Sequence, residues 1–465
     1  MRKLLFFLLL AVEVSGQNIA VKKGIVTDSL KVSDSLDESF ALYLPMAFSE
    51  QKKWPLILLF DSEGRGKTAA QLFRNTAEQQ GYIIASSNNI TAEKDLLENV
   101  KTAVRLANMV TGTFPVDSRQ VSTAGTMEGG KVASSLPVLY PDILGVVAVG
   151  NHWINFDRLD KKNNFTFIGM VGDEHFTSAS MKMTAEALEN MKFPSQVYTF
   201  EGNGDWPGPQ MINSAVGSLT LEAMKEGLRP RDPALIEELF NQDLSRANEL
   251  MSKTKLVEAY SFLSLLEEKY RGLYPTDAVE EKLRQLERSR NYREQDRQLT
   301  SVLEKEKRLL NDFIYYLGED IQTENFENLG WWNYQKMELD SLSAKGGAEG
   351  KMARRLESLI IELAEAYSED LVERHASLEK KMLANMILTI FDPSDFGAYK
   401  KIISLSAQDD DFGTALFYLE EMLKHGYKNK DELYNIPGTL GLKLTPEYNL
   451  LIEKYLGSSR YYDNQ

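Results

Sequence analysis

Two different hydrophobic rhythms divide the chain. From Gln17 to about Gly227, apolar runs of strand length alternate with longer amphipathic stretches. KGIVTDSLKV and ESFALYLP alternate apolar and polar positions as antiparallel strands do, and Pro45 closes the second. WPLILLF (Trp54–Phe60) is apolar throughout, which predicts a strand covered on both faces. TAAQLFRNTAEQQ reads as a helix and GYIIASS as the next strand. A helix is predicted from about Ala92 to Met109, with Leu96, Leu97, Val100, Val104 and Leu106 on its apolar face. QVSTAG, GVVAVG, FTFIGMVG and SQVYTF supply four further strands, with a helix from about Gly130 after the first. Repeated strand–helix units imply an α/β fold with a doubly wound, mostly parallel sheet.

Past Arg229-Pro230 the strand signals vanish. LIEELFNQDLSRANELM and AVEEKLRQLERSRNYREQDRQLTSVLEKEKRLL read as helical hairpins with polar outer faces. Near the end, Ala415 sits early in one helix, Gly426 closes it, and a second and third short helix follow. This segment resembles a tetratricopeptide-type helical hairpin, although no period of about 34 residues repeats upstream. The expected organisation is a leader at 1–16, an α/β domain at 17–227, an α-helical domain at 228–406 and a tetratricopeptide-like end at 407–465.

Composition narrows the setting. With 465 residues, 43% hydrophobic and 26% charged, the chain can bury two or three globular cores. A net charge of -15 argues against nucleic acid as a partner, since phosphate neutralisation needs clustered Lys and Arg. There is no cysteine, which removes a thiol nucleophile, a disulfide framework and a lipoprotein anchor. Arg2 and Lys3 precede the apolar run LLFFLLLAV, and Val14-Ser15-Gly16 offers a small-residue cleavage site before Gln17. That run falls short of the roughly 20 residues a membrane span needs. The expectation is a cleaved signal peptide and a mature chain, without a transmembrane segment, in the periplasm or outside the cell.

The chemistry-bearing stretch is VSTAGTMEGGKVASSL (Val121–Leu136). Gly125-Thr126-Met127-Glu128-Gly129 keeps the strand-turn-helix frame G-x-S-x-G, in which glycines leave room for a strained turn that exposes a serine. Here methionine stands at the serine position. Downstream, MVGDEHF places an acid at Asp173, and the glycine-rich FEGNGDWPG carries Asp205 where a histidine is expected. Together with YLPMAFSEQKKWPLILLFD, these motifs resemble the α/β-hydrolase superfamily over about Lys22 to Leu219. Within it, they resemble the poly(3-hydroxybutyrate) depolymerase-like and dienelactone-hydrolase-like esterases. The resemblance implies a Ser-acid-His triad acting on esters, with Met127, Asp173 and Asp205 at its three positions. Only Asp173 matches in residue type. A thioether has no proton to give up, and losing the serine or histidine of such a triad costs on the order of a millionfold in turnover.

Other residues compete for roles. The resemblance puts the oxyanion loop at Asp61-Ser62-Glu63-Gly64, where Asp61 and Glu63 have the wrong sign to stabilise an oxyanion. Thr126, Ser122, His175 and His152 are the residues that could rescue a triad. Met127 reads as a plug, with a Met-lined ligand pocket as the alternative. Asp61, Glu63, Glu128, Asp173, Glu174 and Asp205 form an acidic set that reads as solvated loop carboxylates, because no calcium-loop pattern orders them. Gly64-Arg65-Gly66-Lys67-Thr68 mimics a phosphate loop but has Asp61 where its first glycine belongs. Three Asp-Ser-Leu triplets, beginning at Asp28, Asp34 and Asp340, resemble an O-glycosylation acceptor of some Bacteroidetes. Trp331, Trp332 and Tyr334 read as helical core.

The resulting expectation is an exported hydrolase-like protein without a working triad, acting as a binding or scaffolding component of the cell envelope. Its helices would engage a protein partner. Residues Gly125, Glu128, Gly129, Asp61, Glu63 and Trp206 would border a site for a small acyl or glycan ligand, with no metal or other cofactor. The competing reading is a divergent serine esterase with a non-standard nucleophile, and a third is a metal-dependent hydrolase built on the carboxylates.

Overall fold

The computed structural model describes residues 21–160, 162–203 and 206–461, so the expected leader at 1–16 lies outside the described residues. Two compact units emerge. One comprises the described residues up to Asp173 with Ser178–Ser289, and the other Glu174–Thr177 with the chain from Arg290 onward.

The first unit is built on an eight-stranded sheet: β1 (Thr27–Lys31), β2 (Ser39–Tyr43), β3 (Trp54–Phe60), β4 (Ile83–Ser87), β5 (Val116–Thr126), β6 (Ile143–Val149), β7 (Thr166–Gly172) and β8 (Ser195–Phe200). The spatial order is β1-β2-β4-β3-β5-β6-β7-β8. β1 and β2 are antiparallel to their neighbours, and every later pair is parallel. Helices α1 (Gly66–Gln80), α2 (Leu96–Thr113), α3 (Glu128–Leu139), α4 (Ser178–Asn190) and α5 (Pro209–Lys225) connect and follow the strands. Every residue of β6 and β7 is buried, which is why those strands read as unbroken apolar runs.

One helix differs from expectation. α2 starts at Leu96, because the Asp95 carboxylate caps it by accepting the Glu98 N–H at 2.7 Å. Ahead of it, the Asn99 side-chain amide donates to the carbonyls of Thr91 and Lys94 and holds that segment in a turn. Leu97 is therefore 63% exposed rather than on the apolar face, and Ala103 and Val110 join Val100 and Leu106 as the buried stripe.

The change of composition after Gly227 marks the end of the strand-bearing sequence, but the compact unit runs on to Ser289. Its last helices are α6 (Pro233–Ser252), α7 (Leu256–Tyr270) and α8 (Asp277–Arg288). A buried polar cluster fastens them to α5. Asp243 accepts hydrogen bonds from Ser214 (2.5 Å), Lys269 (2.7 Å) and Tyr270 (2.6 Å), and Lys269 also donates to the Ser214 carbonyl.

The second unit is helical. Its elements are α9 (Arg290–Thr323), α10 (Leu329–Lys345), α11 (Gly347–Glu373), α12 (Leu378–Phe391), α13 (Phe396–Gln408), α14 (Phe412–Lys424), α15 (Lys430–Leu433), α16 (Leu440–Lys443) and α17 (Pro446–Leu456). Trp332 is fully buried among Phe313, Leu356 and Ile387, and its indole N–H donates to Asp320 at 2.8 Å. Tyr334 departs from the expected core role and is 56% exposed. Ala415 is buried in α14 as expected, and Gly426 follows that helix with φ +96°. Three helices come after it rather than two. No helix among the described residues is long and apolar enough to cross a membrane.

Candidate functional site

Parallel strands place their carboxyl ends along one edge of a sheet, and in α/β folds that edge is where ligands bind. The residues following β3, β5, β6, β7 and β8 are Asp61, Met127, Gly150, Asp173 and Glu201. The topology thus carries most of the sequence-predicted positions to one edge.

The turn after β5 is strained. Met127 has φ +52° and ψ -118°, a conformation uncommon for any residue with a side chain and costing about 1–3 kcal/mol. Its N–H donates to the Val149 carbonyl at 2.9 Å, and its carbonyl accepts from Gly130 at 2.9 Å, which lock the turn between β6 and the start of α3. Crowding explains the glycines. A Cβ on Gly125 would lie 2.0 Å from the Gly129 carbonyl oxygen, and one on Gly129 would lie 2.0 Å from that of Phe60. Met127 itself is partly buried. Glu128 begins α3 and pairs with Lys131 at 2.6 Å.

The loop after β3 differs from a solvated acidic loop. Asp61 is 1% exposed, and both its oxygens are engaged. One accepts from the backbone N–H of Glu63 (3.0 Å) and from Arg65 Nε (3.0 Å). The other accepts from Arg65 Nη2 (3.2 Å) and from the Trp206 indole N–H (2.8 Å). Burial opposes ionisation of Asp61, yet the donors from Arg65, Glu63 and Trp206 outweigh it and hold its pKa below the usual carboxylate value. Glu63 pairs with Arg65 at 3.2 Å and stays largely exposed. The sequence resemblance would place an oxyanion-hole N–H in this loop. Here the Glu63 and Arg65 amides are turned onto Asp61.

Asp173 follows β7, and its carboxylate accepts from the Gly202 N–H of the loop after β8 at 3.3 Å. Asp205, in that loop, lies outside the described residues. Trp206 packs edge-on against Phe73 at 5.3 Å while its N–H is held by Asp61. Among the described residues, no three His, Asp or Glu side chains meet in a group that could hold a metal ion.

The four residues that could rescue a triad are each placed. Ser122 and Thr126 lie in β5 with no exposure to solvent. His152 Nε2 lies 2.7 Å from the Thr184 hydroxyl on α4, and burial pulls its pKa down to about 4. His175 is buried with Nδ1 2.7 Å from the Thr177 hydroxyl, and burial lowers its pKa to about 4 as well. Among the described residues, neither histidine is bonded to a serine hydroxyl.

No protein-family model matches the chain. No curated protein matches it either. Solved structures do resemble part of it. One is the fluorophosphonate-binding serine hydrolase F of Staphylococcus aureus, with TM-score 0.35 and 14% identity, covering 42% of this chain and 97% of that one. Another is the S-formylglutathione hydrolase of the same organism, with TM-score 0.34 and 12% identity, covering 42% and 95%. A third is esterase 2 of Thermogutta terrifontis, with TM-score 0.33 and 16% identity, covering 45% and 96%. In architecture the chain is an eight-stranded, mostly parallel sheet with α/β connections, followed by helices.

Proposed function

We propose that this chain is an exported, catalytically silent hydrolase-like protein that serves as a binding or scaffolding component of the cell envelope, with its helical region engaging a protein partner. One observation carries the reading. The turn after β5 retains a strained conformation suited to exposing a nucleophile, but the side chain it holds is the thioether of Met127. The inward-turned amides of the β3–α1 loop add support, since two donors near the turn are already spent on Asp61.

The test is fluorophosphonate labelling of the mature protein, located by peptide mass spectrometry, with a short-chain ester assay alongside. The expected outcome is no adduct and no turnover. A stoichiometric adduct on one serine or threonine, with turnover abolished by its replacement, would establish the divergent esterase instead. Sequencing the N-terminus of protein recovered from the envelope checks export, with Gln17 as the expected first residue.

A further inference from the structure

The stretch from Leu309 to Gln335, running from the end of α9 into α10 of the second unit, contains no Lys, Arg or His. Aromatic residues interspersed with Asp and Glu take their place. Part of that content is core: Phe313 and Trp332 are buried, and the buried Asp320 accepts from Trp332, Asn325 and Asn328. The remainder faces outward. Tyr315 is 62% and Tyr316 40% exposed, and Trp331 is partly buried. Their rings run in series across the two helices, with centroids 5.3 Å apart from Tyr315 to Tyr316 and 5.0 Å apart from Tyr316 to Trp331. Trp332 at 4.8 Å and Phe313 at 6.0 Å brace Trp331 from the core side.

Carboxylates bracket this row. Asp312 precedes the two tyrosines by three and four residues, and Glu319 follows them by four and three, so each acid neighbours both rings on the helix surface. Both acids are exposed, and neither has an ion pair among the described residues. Arg308, one turn before Asp312, is exposed and not paired with it among those residues. On α10 the first cation is Lys336, which Asp340 and Glu357 already hold. Aromatic faces carry a negative quadrupole potential and the carboxylates a formal charge, so both draw the same kind of group, a cation. Nucleic acid and anionic lipid are repelled by both.

We propose that this face of α9 and α10 receives an arginine-bearing segment of a protein partner, its guanidinium groups stacked on Tyr315, Tyr316 and Trp331 and paired with Asp312 and Glu319. This rests on the reading that the helical region engages a protein partner, and it names the face and the partner's chemistry. A planar guanidinium stacks on aromatic rings and meets a carboxylate with two donors at once, which an ammonium does not. A neutral glycan stacks on rings too, but it makes no use of the formal charge.

Fluorescence-anisotropy titration of the full chain with two labelled peptides of equal charge, one of Arg-Gly repeats and one of Lys-Gly repeats, tests it. Generic attraction to a chain of net charge -15 holds both alike. The arginine peptide is expected to bind saturably and about threefold tighter or more. Tyr315→Ala with Tyr316→Ala is expected to weaken it about tenfold. Asp312→Asn with Glu319→Gln, which leaves the rings in place, is expected to do the same and to make binding less sensitive to salt. Equal affinity for the two peptides, undiminished binding by either folded variant, or no saturable binding would each overturn the proposal. So would cellohexaose binding, lost on Tyr315→Ala with Tyr316→Ala, where the arginine peptide does not bind. Crosslinking of the natural chain and the tyrosine variant in the envelope separates this proposal from the reading beneath it. A partner captured equally by both overturns this face and leaves the partner standing, whereas no partner captured by either removes both.

Discussion

Met127 holds a backbone conformation that glycine would occupy at little cost, so its persistence with a long side chain stores strain. Replacing Met127→Gly is expected to raise the stability of the first unit by about 1 kcal/mol, the released strain exceeding glycine's added unfolded-state entropy and the lost thioether contacts. Two residues on, the opposite holds. Gly129→Ala forces a Cβ to 2.0 Å from the Phe60 carbonyl and is expected to cost about 3 kcal/mol or more. Urea denaturation of both variants checks the pair; a destabilised M127G would mean the side chain itself holds the turn. A second residue-scale effect concerns acid. His152 is held neutral by burial, with a pKa near 4 against about 6.5 in the unfolded chain. Between those values the unfolded chain takes up a proton the folded one refuses, so stability is full above about pH 6.5 and falls as pH drops toward 4. About 2 kcal/mol is expected to be lost between pH 7 and pH 5 on this account, and His152→Gln should flatten that portion of the profile. An NMR titration showing His152 protonating near its ordinary pKa would remove the basis for it.

At the scale of elements, the attachment of α6 and α7 to α5 depends on one buried ion pair. Lys269 is 1% exposed, with the neighbouring Asp243 carboxylate raising its pKa against the opposing effect of burial. Lys269→Met would leave Asp243 charged and buried with only hydroxyl donors, an expected loss of about 3–5 kcal/mol. The double replacement with Asp243→Leu is expected to recover much of it, because an apolar pair removes both desolvation costs. Equal stabilities of the single variant and the natural protein, by chemical denaturation, would show that water reaches the site. The same cluster shows where sequence reading stops. β3 was legible to the residue, since WPLILLF carries its burial in its own composition, and β8 from the alternation of SQVYTF, only two of whose residues are buried. The start of α2 was less so, although Asp95 and Glu98 supply a capping signal three residues apart that outranks the apolar period. Nothing local in AYSFLSLLEEKY distinguishes Lys269 from the solvent-facing lysines around it, because its partners are 26 and 55 residues away. The site divides the same way. The Met127 turn could be read from its glycines, whereas the role of Asp61 depends on Trp206, 145 residues on, and looked like a free loop carboxylate.

For the molecule as a whole, the two units have separate cores, and their tryptophans report on them separately. Trp54, Trp153 and Trp206 belong to the first, and Trp331 and Trp332 to the second. Within the second unit, Phe313, Trp332, Leu356, Ile387 and their neighbours form a contiguous apolar cluster, and Arg355 grips the buried Glu306 through two hydrogen bonds of 2.5 and 2.6 Å. A core of that kind in a helical segment of this length is enough for independent folding, because burial grows with chain length faster than the surface does. Residues 290–465 expressed alone are therefore expected to give a helical circular-dichroism spectrum, a cooperative melt and blue-shifted tryptophan emission from the buried Trp332. In the full chain, replacing Trp54, Trp153 and Trp206 by Phe leaves emission that reports the second unit alone. Its unfolding midpoint should then match that of the isolated segment within error. Trp206→Phe also removes the indole donor from buried Asp61 Oδ2 and leaves it Arg65 Nη2, so the first unit of that variant should unfold earlier while the reporter's midpoint stays in place. A broad, non-cooperative melt of 290–465, or a reporter midpoint that falls with the first unit, would mean that the helical region depends on the sheet-bearing unit for its fold and cannot act as a self-standing platform for a partner.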